Sequence, residues 1–258
     1  MGDPASHDIA LIRADNPGPF TLSGTNTWIL GRDPCWIVDP GPALDEHVAA
    51  VVAEAAVRGG AAGIALTHGH ADHSEAVPAL ASATGAPVAA MAFPGAGVRL
   101  ADGDAFGPLT AIATPGHAPD HLAFVAGTAC FTGDAVLGQG SVFVAPDPGA
   151  LRGYLAALER LRALDLDLLC PGHGPPVEDP QAKLGEYIGH RLDRERRLVE
   201  ALGDGVRGAD ELLARVWDDA PEALRPAAAV TLAAHLDKLA EEGRLPDGVE
   251  RPAGFGSG

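Results

Sequence analysis

Within Thr67-His68-Gly69-His70-Ala71-Asp72-His73 the chain places three imidazoles and one carboxylate inside six positions. With ten histidines in the chain, such a match arises by chance on the order of one time in a thousand, so incidental histidines on a polar loop explain it poorly. The apolar run 63–66 lies directly upstream, which puts the cluster on the loop leaving a strand, where rigid backbone presents side chains. In extended chain His68 and His70 project to the same side, because side-chain direction repeats every two residues. Neutral imidazole and carboxylate suit zinc, and the cluster offers more ligands than one tetrahedral ion uses. The chain must therefore fold so that other strand ends meet this loop.

Such strand ends are present. Pro115-Gly116-His117 follows the apolar run 109–113, Gly133-Asp134 follows 129–131, and Pro171-Gly172-His173-Gly174 follows 166–170. Each repeats one pattern: a strand, a tight turn, a single ligand-type residue. Runs 27–30 and 35–38 flank Gly31–Pro34 as a hairpin, and 87–90 and 122–125 are further strands. Residues 44–57 open with Asp45 and Glu46, which suits a helix N-terminus. In 150–164, Leu151, Leu155, Leu158 and Leu161 form one apolar stripe. This mixture predicts an α/β fold with helices packed outside sheets. After Pro180 the pattern turns helical (184–202, 209–217, 223–243). The expected division is a catalytic domain over 1–180 and a small helical, winged-helix-like domain over 181–258, with a loose Gly-rich end at 254–258.

The order HxHxDH, lone His, Gly-Asp, Pro-Gly-His resembles the metallo-β-lactamase superfamily. Residues 24–27 (GTNT), 37–41 (IVDPG), 131–138 (FTGDAVLG), 171–175 (PGHGP) and 187–191 (YIGHR) extend the resemblance over nearly the whole chain, toward the beta-lactamase-like protein 2 branch. The resemblance implies an αββα sandwich and a dinuclear metal hydrolase using a metal-bridged hydroxide. One ion would take His68, His70 and His117, the second Asp72, His73 and His173, with Asp134 bridging both. The expected ions are two Zn2+, with Mn2+ or Fe2+ as substitutes. Asp72 carries a catalytic role, orienting the nucleophile or passing its proton to the leaving group. Where many relatives carry Thr after the third His, this chain has Ala118.

Other residues divide between site and scaffold. Asp39 reads equally as a partner to a ligand His and as a strand-end cap, and His121 as a holder of the loop before 122–125 ahead of a hydrogen-bond partner within the site. Cys35, Cys130 and Cys170 read as buried filler. His190 and Arg191, with Arg194, are candidate grips for an anionic substrate group, set against a solvated helix face.

Eighteen basic against 35 acidic residues, net −17, argue against a surface that coats phosphate backbones. The scattered cysteines and the lack of a basic-then-apolar start predict a cytoplasmic protein. The uncharged stretch 76–98 is broken by Pro78, Pro87 and Pro94 and does not read as a membrane span. The leading substrate is a small ester or thioester. Endonucleolytic cleavage of single-stranded RNA is the alternative, and a non-catalytic metal-binding regulator is the rival from another class. The helical appendage, itself acidic, suits a lid or a homodimer contact better than nucleic acid.

Overall fold

A computed structural model describes residues 3–252. The chain folds into two facing sheets with helices outside, an αββα sandwich followed by a helical unit. The first sheet is ordered β1 (Ile9–Arg13), β2 (Asn26–Leu30), β3 (Cys35–Val38), β4 (Ala61–Ala65), β5 (Val88–Ala90), β6 (Val98–Arg99). The second runs β11 (Leu168–Pro171), β10 (Ala129–Gly133), β9 (Leu122–Ala126), β8 (Leu109–Ala113), β7 (Ala105–Phe106). The expected hairpin pairs β2 and β3 antiparallel, with Ile29 opposite Ile37, while β3, β4 and β5 run parallel.

Strand alternation sorts side chains into layers. Trp28, Val38, Ala65, Leu122, Phe124, Phe131, Leu168 and Cys170 fill the space between the sheets. Their neighbours Ile29, Ile37, Ile64 and Leu66 point the other way, against α1 (Asp45–Val57) and α3 (Val77–Thr84). Behind the second sheet, Ile112, Cys130 and Leu169 pack with Leu151, Tyr154, Leu158 and Leu161 of α4 (Ala150–Arg162). The Leu155 position of the predicted stripe is only half-buried and sits at its rim.

α5 (Pro180–Gly203) belongs to both parts of the molecule. Its Leu184, Tyr187 and Ile188 join the sandwich core, whereas Leu198, Ala201 and Leu202 join α6 (Ala209–Val216) and α7 (Arg225–Glu241) in a separate apolar core. Among the described residues no strand follows β11, and none of their helices is long and apolar enough to cross a membrane. The Gly-rich end expected at 254–258 lies outside the described residues.

Candidate metal centre

Each ligand-type residue leaves the same end of a strand. β4 runs into Thr67, whose backbone N–H and hydroxyl both donate to the Asp39 carboxylate, each at 2.8 Å. Asp39 sits just past β3 with φ +53°, a left-handed conformation that Asp tolerates better than most residues. The same carboxylate accepts from His73 Nδ1 at 3.0 Å, which turns His73 Nε2 inward. Thr67 Oγ1, already donating to Asp39, accepts from His68 Nδ1 at 3.0 Å, so His68 Nε2 also faces inward. Orienting contacts of this kind fix the tautomer a metal needs. The single turn α2 (Ala71–Ser74) then lifts Asp72 and His73 toward the centre.

The second sheet contributes His117, Asp134 and His173. A register shift in β10 between Phe131 and Gly133 re-aims the chain at Asp134. Gly133 has φ +46°, and a Cβ there would lie 2.5 Å from Thr67 Oγ1, so only glycine lets the two sheets approach. Asp134 N–H donates to His121 Nε2 at 3.1 Å, leaving His121 Nδ1 to donate to Thr114 Oγ1 at 2.7 Å. Burial pushes His121 down to about 3, consistent with a neutral ring that braces Asp134. After β11, Asn26 Nδ2 donates to the carbonyls of Pro171 (3.0 Å) and Gly174 (2.8 Å), clasping the turn that carries His173. At Gly172 a Cβ would sit 2.6 Å from both Asp134 Oδ1 and His73 Cε1.

The seven expected ligand residues converge in three overlapping groups, His68/His70/His117, His68/His73/Asp134 and Asp72/His73/His173, each with its donor atoms within 4.8 Å of one another. His70 Nδ1 lies 3.0 Å from both His68 Nε2 and His117 Nε2, and His73 Nε2 lies 3.2 Å from His173 Nε2. Asp134 stands between the groups: Oδ2 is 3.5 Å from His117 Nε2, and Oδ1 is 3.5 Å from both His73 and His173. His70 is exposed and Asp72 half-buried, so the cluster opens to solvent on their side.

The electrostatics suit cations. Burial holds His68 and His117 neutral, His117 near 4, which leaves their nitrogens free to ligate. Burial also opposes charge on His173, but Asp134 and Asp72 outweigh it and lift it to about 9. Asp134 and Asp39 likewise raise His73 well above the ordinary imidazole range, against its burial. Asp134 is itself held well below the usual carboxylate range, burial notwithstanding, by His73 and His173. This half of the centre thus draws positive charge, as an ion between its carboxylates would supply. Asp134 Oδ1 is buried without a hydrogen-bond partner. Convergent imidazoles, an orphaned carboxylate oxygen and a demand for positive charge all fit a pair of divalent ions.

His190 and Arg191 depart from the expectation of a substrate grip. Arg191 is 2% exposed; it donates to the Val142 carbonyl and lies over the Tyr154 ring, 5.7 Å from its centroid. His190 accepts from Arg194 Nε at 3.2 Å. Arg191 faces packing partners rather than the ligand cluster, because Tyr187, Arg191, Arg194 and Leu198 share the buried stripe of α5, and the half-buried His190 beside that stripe turns its Nε2 to Arg194. One residue at the centre had no signal in the sequence. Phe143, in the loop between β10 and α4, packs its ring 4.6 Å from that of His117.

Comparison with known proteins agrees with this architecture. Residues 92–173 match the family described as Metallo-beta-lactamase superfamily, and 209–247 match the Beta-lactamase associated winged helix domain. The Beta-lactamase-like protein 2 homolog of Caenorhabditis elegans is 32% identical, over 92% of this chain and 86% of its own. The Atrochrysone carboxyl ACP thioesterase of Aspergillus chevalieri is 35% identical, over 83% of this chain and 74% of its own. Among solved structures, a metallo-beta-lactamase family protein from Thermus thermophilus superposes with a TM-score of 0.74 at 26% identity, over 92% of this chain and 94% of that one.

Proposed function

The chain belongs to the metallo-beta-lactamase superfamily, and from that premise we propose a dinuclear hydrolase that cleaves a small ester or thioester. The observation that carries the reading is Asp134, whose two oxygens face two separate ligand groups. His68, His70 and His117 would hold one ion, and Asp72, His73 and His173 the other. Nitrogen and carboxylate donors without thiolate suit zinc first, with manganese or iron(II) as substitutes. Bound there, the ions supply a water of lowered pKa and Lewis acidity toward the carbonyl under attack.

The chain's own groups do the rest. Asp39 and Thr67 keep His73 and His68 in the ligating tautomer, and His121 fixes the backbone of Asp134. Asp72 is 29% exposed on the open side and 3.2 Å from His173 Nε2. It is placed to take the proton of the attacking water and deliver it to the leaving group. A thiolate leaving group asks little of that acid, because a thiol, ionising at about 8.5, is a far stronger acid than an alcohol. A relative whose name is that of a carrier-protein thioesterase supports the choice.

The likeness along the chain to a Beta-lactamase-like protein 2 homolog keeps cleavage of single-stranded RNA as a second reading, but a net charge of −17 opposes it. The complete ligand set opposes a non-catalytic regulator. Metal analysis of the purified protein should give about two ions per chain. Asp134→Ala should lower that content and abolish hydrolysis while keeping the far-ultraviolet dichroism. Thioester panels and single-stranded RNA assayed side by side should show thioester turnover; metal-dependent RNA cutting without it would reverse the ranking.

A further inference from the structure

The loop between β1 and β2 is tightly built, yet it presents a large apolar ring to water. Asn16 Oδ1 accepts from Thr25 N at 2.8 Å, its Nδ2 donates to Thr25 Oγ1 at 3.0 Å, and Thr21 Oγ1 donates to the Asn16 carbonyl at 2.6 Å. Gly18 and Leu22 pair across the loop, with Leu22 held at φ +56°. That conformation is costly for a branched side chain and persists only where its surroundings impose it. At the tip Phe20 remains 53% exposed, the most exposed aromatic among the described core-type residues. A rigid loop that leaves its Phe uncovered is not using that ring as a core anchor.

The position of the ring gives it a purpose. The base of the loop rests on the metal centre: Thr25 pairs with His173, and Leu22 reaches the Gly174 turn. The tip meets Phe143 edge-to-face, with ring centroids 6.4 Å apart, and Phe143 in turn packs on His117. Phe143 is fixed by its flanks: Val142 O accepts from Arg191, Val144 N donates to Thr231 Oγ1 at 3.2 Å, and Ala145 N donates to Gly116 O at 2.7 Å. The two rings, from separate loops, thus form one aromatic edge that ends on the ligand His117, while the backbone at the base of the Phe20 loop pairs with His173.

We propose that Phe20 and Phe143 form an apolar platform beside the metal centre that receives the acyl portion of the substrate, selecting medium-length aliphatic or aromatic acyl thioesters over acetyl. This deepens the hydrolase reading and rests on it for the reaction, though not for the binding. An acyl chain laid along the rings removes apolar surface from water on both sides, and the scissile carbonyl at its end lies toward the ligand cluster.

The test uses the full metal-loaded chain and its Phe20→Ala and Phe20→Trp variants. Calorimetry measures binding of the uncleavable thioethers S-decyl- and S-methyl-N-acetylcysteamine, and kinetics compare decanoyl and acetyl thioesters of the same thiol. Phe20→Ala should weaken decyl binding about tenfold and lower the decanoyl-to-acetyl ratio of kcat/KM by a similar factor, with Phe20→Trp restoring both. Phe143→Leu should act in the same direction. Thioester turnover with a chain-length ratio unmoved by Phe20→Ala overturns the platform and leaves the hydrolase standing. Phe20-dependent decyl binding without turnover supports the platform and overturns the reaction.

Discussion

At the scale of the residue, the centre depends on a few side chains whose partners decide their protonation. Buried polar groups outside it obey the same rule. His235 is fully buried with both ring nitrogens unpartnered, its ring edge-on to Trp217 at 5.8 Å. Burial first, then the charges of Arg191 and Lys238 with His190 and Arg194 nearby, push it down to about 3. The unfolded chain, with an ordinary imidazole near 6.5, takes up this proton first as pH falls. The stability contributed by the neutral ring is therefore complete above about pH 6.5 and is lost between there and about pH 3, at roughly 1.4 kcal/mol per pH unit. His235→Phe should reduce the loss of stability between pH 7.5 and 5.0 by about 2 kcal/mol in denaturant titrations. The dependence should not vanish, because His47, His117, His121 and His190 are lowered too. A variant with an unaltered pH slope would show that His235 ionises freely in the folded state.

At the scale of the element, the strand-turn-ligand pattern was readable because each ligand stands just after an apolar run of a length that suits a strand. β8 occupies 109–113 as expected from the sequence. Other elements carried no such signal. α3 spans VPALASAT, too small-chained for its apolar periodicity to stand out. β6 and β7 are two residues each, held by neighbours rather than by their own composition. Arg191 was legible in another way: it lies four residues after Tyr187 and seven before Leu198, on the stripe that must be buried, and charge alone misdirects its reading. Its Nε has no partner, so a well-packed apolar substitute should cost little stability. Arg191→Met should keep the melting temperature within a few degrees. It should nevertheless raise KM severalfold for decanoyl thioesters, because the loop carrying Phe143 loses its tether. Equal KM values in the two proteins would show that Thr231 and Gly116 hold the loop alone.

At the scale of the whole molecule, His68, His70, Asp72 and His73 follow a strand of one sheet, while His117, Asp134 and His173 follow strands of the other. This long-range convergence was visible in the sequence only as separated motifs, since no local pattern encodes which strand ends meet. It makes metal binding a term in folding: ligands that favour the native state stabilise it by mass action. Removing ions with a chelator should lower the melting temperature by about 5–10 °C, and re-addition of zinc should restore it. A melting curve indifferent to chelation would show that the seven side chains do not hold ions across the sheets.

Because cations would rivet the two halves of the sandwich together, scarcity of metal would make the protein softer as well as idle. Proteases act on opened chains, so its abundance in a cell would follow the ion supply, and starvation would clear the protein rather than merely silence it.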